Sequence, residues 1–345
     1  MTSARIARQG PHGFSLDVEF SLEPGITALY GPAGAGKTLL LEALAGFTRP
    51  DSGRILLQDV LLFDAAARVC ALPHRRAIGW VSHADSLFPH MTVRQNFAFA
   101  AHGRPRVERA RRVAEALEKF QLSPVASSLP AAIAPPEKLR AAVARALLAE
   151  PKLLLLDERR WQEPLVRQVR ESFGGPVLLV TGDLDLCCAA ASRLLVLSAG
   201  RIVADAAPRD VLDRPETIEA ARALGIPNIF ECAISALDPG RHTSRLDLAE
   251  FSIAGPYIPG HFRGDRVSIA IRPEELRVHD GASAPPASVE ARLVRVLPGL
   301  HRVRLEFSGG IFADLPPEEY EAKKDAQSWR IEFPPDKVRA LRPAA

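Results

Sequence analysis

The feature that most constrains the fold of this chain is a glycine-rich loop that ends in lysine and threonine. The loop runs from Gly31 to Thr38 and fits the pattern G-x-x-x-x-G-K-[ST]. The apolar run Ile26–Tyr30 precedes it and predicts a strand, whereas Leu39–Gly46 follows it with helical composition and a glycine stop. A strand, this loop and a helix in that order predict an α/β fold of the phosphate-loop class.

The residue types of the loop suit the binding of a nucleotide's phosphates. Glycines let successive backbone N–H groups face one anion, and the N-terminus of the following helix adds its dipole. We expect Lys37 to reach the β- and γ-phosphates of ATP, and the Thr38 hydroxyl to hold Mg²⁺. The predicted contacts with ATP are the loop and the start of the helix: Gly31, Pro32, Ala33, Gly34, Ala35, Gly36, Lys37, Thr38 and Leu39.

A second candidate for the site is a run of leucines that ends in a pair of carboxylates. Leu153–Leu156 predicts a strand buried on both faces of a sheet, and Asp157 and Glu158 follow it. A carboxylate at this position can hold the water shell of Mg²⁺, which predicts Asp157 as a metal and nucleotide residue. The next carboxylate can orient or deprotonate the attacking water, so the predicted catalytic residues are Glu158 and Lys37.

Composition limits the other functions open to the chain. Its 345 residues point to about two domains, and a net charge of +3 lacks the basic field that a general nucleic-acid binder needs. The four cysteines form no C-x-x-C pair, so we expect small apolar fillers rather than a disulfide framework or a zinc site. The sequence shows neither a secretory signal nor an apolar run of the ~18 residues that a membrane span requires. These observations predict a soluble, cytoplasmic protein without a nucleic-acid partner.

The chain changes character near residue 222. Before it, helical patterns cover 104–120 and 135–149, and short apolar runs at 177–181 and 194–198 predict further buried strands. After it, helical signals fade, and segments such as 266–272, 288–296 and 301–307 alternate like strands between glycines and prolines. We therefore predict a nucleotide-binding domain at 1–222, with a helical subdomain at about 85–150, and a small all-β barrel at 223–345.

Several segments, in this order, resemble the ATPase subunits of importer-type ABC transporters. They are the phosphate loop, Ala45–Gly53, Leu87–His90, Ala144–Leu148 and Leu153–Glu158. Within that family, Gly25–Gly31, Arg75–Gly79 and Leu87–His90 are most similar to the ATPase of the molybdate importer. The resemblance implies an ABC-type fold and a subunit that hydrolyses ATP to drive uptake of a small solute, such as an oxyanion.

The resemblance also implies partners and a place in the cell. Subunits of this kind pair with a second ATPase subunit, as a homo- or heterodimer. They dock on transmembrane permease subunits, here through the segments near 82–96 and 104–120. A periplasmic solute-binding protein takes part indirectly. The implied location is peripheral, on the inner face of the cell membrane.

The C-terminal region resembles a different branch of the family. Pro227–Phe230 and Ile271–Glu274 are similar to the linker and the accessory barrel, of the OB-like TOBE type, in importers for sugars, polyamines, iron or sulfate. The cargo therefore stays open between molybdate and these alternatives. The region shows no cluster of polar residues with ligand spacing, which favours a dimerisation or spacer module over a ligand-binding one.

The chain departs from the family at residues that complete the ATP site. Ile133–Glu137 stands where the family has LSGGQ or LSGGE, and proline has no N–H to direct at a γ-phosphate. Gly182 stands at the place of the switch histidine, and His83 at that of the glutamine that senses Mg²⁺ and the membrane partner. His83 can still accept a hydrogen bond from water. Phe14 is the candidate for stacking on adenine.

Two hypotheses follow from this combination of retained and altered motifs. In the first, the chain is a working transport ATPase that uses Lys37, Thr38, Asp157 and Glu158, and it needs a partner with an intact signature or turns over slowly. In the second, it is a degenerate nucleotide-binding subunit with a structural or regulatory role and little hydrolysis. The retained Glu158 favours the first, and the altered signature together with Gly182 favours the second.

Overall fold

The structure is a computed structural model that describes residues 2–10, 13–82, 87–157, 161–249, 251–281, 284–285 and 287–342. The chain divides into two units, Met1–Arg209 and Asp210–Ala345. The change in sequence pattern predicts this boundary at 222 instead. The difference arises at the short helix Ile218–Ala223, because its Ala221 packs in one apolar cluster with Ile226, Ala270 and Leu341 of the second unit.

The first unit alternates strands and helices over most of its length. In chain order its elements are β1 (Thr2–Gln9), β2 (Ser15–Leu22), β3 (Gly25–Tyr30), α1 (Lys37–Ala45), β4 (Ser52–Leu57), β5 (Val60–Asp64), β6 (Val69–Cys70), β7 (Ile78–Ser82), α2 (Val93–Ala100), α3 (Arg106–Lys119), α4 (Pro135–Leu148), β8 (Leu153–Asp157), α5 (Glu163–Ser172), β9 (Pro176–Val180), α6 (Leu184–Ala190), β10 (Arg193–Ser198) and β11 (Arg201–Ala206). The helix α7 (Pro208–Asp213) spans the division between the units.

The centre of the first unit is a six-stranded sheet in the order β11-β10-β3-β9-β8-β7. The strands from β10 to β7 run parallel, and β11 pairs antiparallel with β10 at the edge. Both faces are covered, which is why continuous apolar runs form the central strands. In β8, for example, Leu154 and Leu156 belong to one core, and Leu153 and Leu155 to the other. The predicted α/β fold is confirmed.

Two further layers cover this sheet. An antiparallel sheet in the order β2-β1-β4-β5-β6 shares one core with α1. On the other side, α2, α3 and α4 contact one another and bury Phe97, Leu117 and Val143. The helices predicted at 104–120 and 135–149 are confirmed as α3 and α4.

The second unit consists mainly of strands. Its elements are α8 (Ile218–Ala223), β12 (Asn228–Asp238), β13 (Thr243–Asp247), β14 (Ser252–Pro256), β15 (Arg266–Ile271), β16 (Arg277–Asp280), β17 (Val289–Ala291), β18 (Leu293–Pro298), β19 (Val303–Phe307), β20 (Ile311–Leu315), α9 (Pro317–Lys323), β21 (Trp329–Glu332) and β22 (Arg339–Leu341).

Three antiparallel sheets form this unit: β14-β13-β12-β15-β22, β16-β21-β17 and β18-β19-β20. Side chains from all three sheets, including Leu246, Ile331 and Leu305, share one apolar core. Buried Asn228 joins β12 to β20, because its side chain donates to the carbonyl oxygen of Phe312 and accepts from the Phe312 N–H, each at 2.8 Å. The predicted β domain is confirmed, and its closure into a barrel stays a prediction.

Two details of this unit differ from the sequence analysis. The segment 288–296, predicted as one strand, forms β17 and β18, which lie in different sheets on either side of Arg292. The helix α9 was missed, although Pro317 followed by Glu318 and Glu319 suits a first helical turn.

The cysteines divide into two kinds. Cys187 and Cys232 are buried, and burial raises the pKa of their thiols to about 12 and about 11 respectively. They behave as the predicted apolar fillers, whereas Cys70 and Cys188 are exposed and do not.

None of the helices in the described part of the chain combines the length and apolar character needed to cross a membrane.

Candidate nucleotide-binding site

The predicted phosphate loop lies at the carboxyl edge of the central sheet, between the end of β3 at Tyr30 and the start of α1 at Lys37. Asp157 is the last residue of β8, and β9 lies between β3 and β8. Because these parallel strands end at the same edge, the loop, Asp157 and the segment after β9 are brought to one side of the sheet. Open α/β sheets bind their ligands at this edge.

Two glycines allow the loop its path. At Gly31, a Cβ atom would lie 2.1 Å from the carbonyl oxygen of Leu197 in β10, so any side chain would collide with the strand. Gly36 has a φ of +103° and caps α1, where its carbonyl accepts a hydrogen bond from the Leu40 N–H at 2.9 Å. The loop therefore presents peptide groups, rather than side chains, at the start of α1.

Lys37 folds back over the loop. Its Nζ donates to the carbonyl oxygens of Gly31 at 2.6 Å and Pro32 at 2.8 Å. A phosphate at this place would meet both the ammonium group and the backbone N–H groups of the helix start. Thr38, the next residue, is exposed, so its hydroxyl is accessible to the same ligand.

Phe14 lies against the end of the loop. A Cβ atom on Gly36 would be 2.7 Å from Cζ of the Phe14 ring. The ring is partly exposed. Its role in stacking on adenine stays a prediction.

Asp157 supplies a half-buried carboxylate at the sheet edge, in register with Ser82 of β7 and Val180 of β9. Mg²⁺ accepts hydroxyl and carboxylate oxygens and keeps several water and phosphate ligands of its own. The described ranges contain no group of three or more His, Cys, Asp or Glu side chains that could hold a metal. Thr38 and Asp157 offer the oxygen types that a Mg²⁺ ion held mainly by phosphate and water would use.

Two predicted site residues, Glu158 and His83, lie outside the described residues, and so do Arg159 and Arg160.

The segment after β9 has an open position at Gly182. The Thr181 N–H donates to the Leu29 carbonyl at 3.3 Å, and Asp183 caps α6 by accepting from the Leu186 N–H at 3.0 Å. Between these two anchored residues, a Cβ atom on Gly182 would meet no atom within 4 Å. The family's histidine is absent here, but the backbone leaves room for one.

The start of α4 is helical, but it has fewer backbone N–H donors than a helix start with glycines in place of its two prolines. Ala134 is the N-cap, and its N–H donates to a carboxylate oxygen of Glu137 at 2.8 Å. Ala134 has no side-chain oxygen to accept a bond in return, and Pro135 and Pro136 have no N–H. All three residues are exposed. This helix end therefore offers an anion fewer N–H groups than a glycine pair would.

Arg76, which the sequence analysis did not single out as a site residue, holds the far end of α1. Its side chain is 1% exposed and donates to the carbonyl oxygens of Ala43 at 2.8 Å, Leu44 at 2.7 Å and Ala71 at 2.9 Å. Burial lowers the pKa of Arg76. The neighbouring Arg75 is exposed, so an arginine pair in the sequence gives no sign of which member is buried.

Asn96, also missed, organises the loop that leads into α2. Its side-chain amide donates to the carbonyl oxygens of Phe88, Met91 and Thr92 at 3.2, 3.0 and 3.1 Å. Its oxygen accepts from the Phe88 N–H at 2.8 Å. The ring of Phe88 then packs edge-on against Phe99, with ring centroids 4.9 Å apart.

A groove of about 940 Å³ opens beside this loop. Phe47, which is 66% exposed, packs against Trp80 at the groove with ring centroids 5.4 Å apart. On the other wall, the Arg145 guanidinium lies 4.7 Å from the centroid of Phe88, and burial lowers the pKa of Arg145. Within the described residues, the buried Nε1 of Trp80 has no hydrogen-bond partner.

Comparison with known proteins identifies the family of this chain. Residues 16–160 match the ABC transporter family. A curated relative that is 31% identical over 305 residues covers 85% of this chain, and the match spans 81% of that relative. The chain belongs to the ABC transporter family, as an ATP-binding subunit. The relative that is 31% identical is the molybdenum import ATP-binding protein ModC of Paramagnetospirillum magneticum. The ModC of Rhodospirillum rubrum is 36% identical over 210 residues, which is 58% of this chain and 57% of that protein.

Solved structures support the fold. The ATP-binding subunit of an ABC transporter superposes with a TM-score of 0.53 at 22% identity, over 61% of this chain and 91% of that one. The cbiO1 protein of Clostridium perfringens, part of the cbiONQ complex, gives a TM-score of 0.53 at 24% identity, over 61% of this chain and 89% of that one.

Proposed function

We propose that this chain is the ATPase subunit of an importer, in which Mg²⁺-ATP binds at the phosphate loop and its hydrolysis drives the uptake of an oxyanion. The observation that supports the proposal is the shared sheet edge: Lys37 and the exposed Thr38 begin α1 directly after the loop that follows β3, and Asp157 ends β8 at the same edge.

Each residue has a distinct role in this proposal. Lys37 and the N–H groups at the start of α1 bind the β- and γ-phosphates. Thr38 and Asp157 would hold Mg²⁺, which would supply positive charge to neutralise the charge that develops on the phosphate oxygens. Glu158 follows Asp157 in the chain and is the proposed base that takes a proton from the attacking water.

The proposed cargo is molybdate. The relatives that carry this proposal are named molybdenum import ATP-binding proteins, and their matches extend over as much as 85% of this chain. The alternatives are a polyamine, a sugar, iron or sulfate, which the sequence of the second unit keeps open.

The proposed membrane partner is a transmembrane permease that docks in the groove next to α2. Exposed Phe47, whose ring packs against Trp80, offers apolar surface there. The groove also touches α1 at Ala45, so an occupant would lie at the far end of the helix that begins at the phosphate loop. With this partner the subunit would sit peripherally at the inner face of the membrane, paired with a second ATPase subunit.

Uptake of labelled molybdate tests the cargo. In cells lacking this gene, we expect wild-type chain to restore molybdate uptake and Lys37→Ala to fail. Uptake of sulfate, iron, a polyamine and a sugar serves as the matched control and should not change. If the deletion strain takes up molybdate normally but loses uptake of one of the other solutes, that solute is the cargo instead.

A second candidate function is a nucleotide-sensing subunit that hydrolyses little ATP. The observation that favours it is the loss of N–H donors at Pro135 and Pro136, together with the missing side chain at Gly182. Tight ATP binding without turnover would distinguish this function from transport.

A further inference from the structure

The C-terminal end of α1 takes hydrogen-bond donors from outside the helix. The last four carbonyl groups of an α-helix have no N–H partner within it. At α1, the N–H groups of Gly46 and Phe47 both donate to the Glu42 carbonyl, at 2.8 and 2.9 Å. The last turn of α1 carries no basic side chain. The carbonyls that follow Glu42 therefore depend on a residue from elsewhere in the chain.

Arg76 is that residue. Its Nη1 donates to the carbonyl oxygens of Ala43 and Leu44 at 2.8 and 2.7 Å, and its Nε donates to the Ala71 carbonyl at 2.9 Å. The Arg76 side chain is 1% exposed, so water has little access to replace these bonds. A positive charge at this end also complements the helix dipole. One buried guanidinium thus completes the end of α1 and ties it to Ala71.

The glycine that follows α1 makes room for this guanidinium. Gly46 has a φ of +90°. A Cβ atom on Gly46 would lie 2.4 Å from Nε and 2.7 Å from Cζ of Arg76. A larger residue at position 46 would therefore push the guanidinium away from its carbonyl acceptors. The place of the Arg76 side chain can thus be changed without replacing Arg76 itself.

The two ends of α1 serve different parts of the molecule. The helix has nine residues, and it is about 13 Å long at a rise of about 1.5 Å per residue. A helix this short moves as a rigid unit, so a shift at Ala43 and Leu44 also moves Lys37 at its start. A displacement of about 1 Å, even one caused far from the reacting groups, can slow an enzyme about a hundredfold. A residue that fixes the far end of α1 can therefore affect phosphate binding at its start.

We propose that Arg76 is a positioning residue for the phosphate loop. By holding Ala43 and Leu44, its guanidinium sets the place at which Lys37 and the N–H groups at the start of α1 meet the phosphates of ATP. This role rests on the proposed function, in which ATP binds at that loop. Because Arg76 acts through α1, its displacement should lower ATP affinity in protein that stays folded.

Gly46→Ala tests this role in the full-length protein, because it displaces the guanidinium and keeps Arg76. We expect the dissociation constant of a fluorescent ATP analogue to rise by roughly threefold or more, as the start of α1 shifts. The measurement is made where circular dichroism shows a folded protein. Gly103→Ala is the matched control, since Gly103 has a similar φ of +86° and a Cβ atom there would meet no atom within 4 Å. It should bind the analogue like wild type.

Arg76→Lys is the second variant, and it decides the test if Gly46→Ala does not fold. It keeps the positive charge without the guanidinium that makes three bonds, and it should also weaken binding. The double variant should bind about as well as the weaker single variant, because both changes act on one group.

Two results would overturn the role of Arg76. One is a lower melting temperature with unchanged ATP affinity in both single variants, since Arg76 would then serve stability alone. The other is a loss of affinity in the double variant that equals the sum of the single losses. Unchanged affinity in Lys37→Ala, measured beside them, would instead refute the proposed function on which this role rests.

Discussion

At the scale of single residues, the site depends on where Lys37 points. Its hydrogen bonds to the carbonyl oxygens of Gly31 and Pro32 hold a positive charge over the loop that a phosphate would enter. The glycine at position 31 makes this possible, because the backbone passes within contact distance of Leu197. In the proposed site, the charge and the backbone N–H groups would therefore act on the same anion.

We expect Lys37→Ala to abolish measurable ATP binding, or to weaken it by at least about tenfold, because a hydrogen bond between charged groups is lost. A fluorescent ATP analogue measures the dissociation constant. Lys152→Ala, at an exposed lysine of the same unit, is the control and should bind like wild type. Unchanged affinity in Lys37→Ala would refute the phosphate-loop assignment.

Arg76 acts at the other end of the same helix. Removing its guanidinium leaves the carbonyl oxygens of Ala43, Leu44 and Ala71 without their donor in a buried place. We expect Arg76→Met to lower the free energy of unfolding by roughly 2–4 kcal/mol. Urea denaturation followed by circular dichroism measures this. The exposed neighbour provides the matched variant Arg75→Met, and equal stability of the two variants would contradict the role of Arg76.

At the scale of elements, contiguous patterns were predictable and long-range arrangements were not. The strand, loop and helix at 26–46 and the helix α4 follow from local composition and spacing. The break between β17 and β18 was not predictable, because their different sheet partners come from distant parts of the chain. Arg76 and Asn96 were missed for the same reason, since their partners depend on how loops and helices pack.

At this scale, the start of α4 should limit ATP turnover, because it lacks backbone N–H donors. Restoring the family's donors with the triple change Ala134→Ser, Pro135→Gly and Pro136→Gly should raise Mg²⁺-dependent ATP turnover by roughly tenfold or more, as oxyanion donors typically do. Steady-state phosphate release measures it. The variant Ala134→Ser alone, which adds a cap and no backbone N–H, is the control. Turnover that stays at the wild-type level in the triple variant, with ATP binding intact, would contradict the importance of these donors.

At the scale of the whole molecule, the two units carry different kinds of sequence information. The first contains the complete parallel sheet and the phosphate loop, and its family was recognisable from short motifs. The second is held by a core shared among three sheets and by the Asn228 link between strands far apart in the chain. Its β character follows from alternation, but its strand partners and α9 required the structure.

In the proposed function, this chain hydrolyses ATP as the subunit of a transporter. The most direct measurement is steady-state ATPase activity of the purified chain with Mg²⁺, beside Glu158→Gln and the control Glu163→Gln, which alters a carboxylate of α5 paired with Arg167. We predict turnover that requires Mg²⁺, is lost in Glu158→Gln and persists in Glu163→Gln. ATP binding without any turnover that depends on Glu158 would contradict the claim.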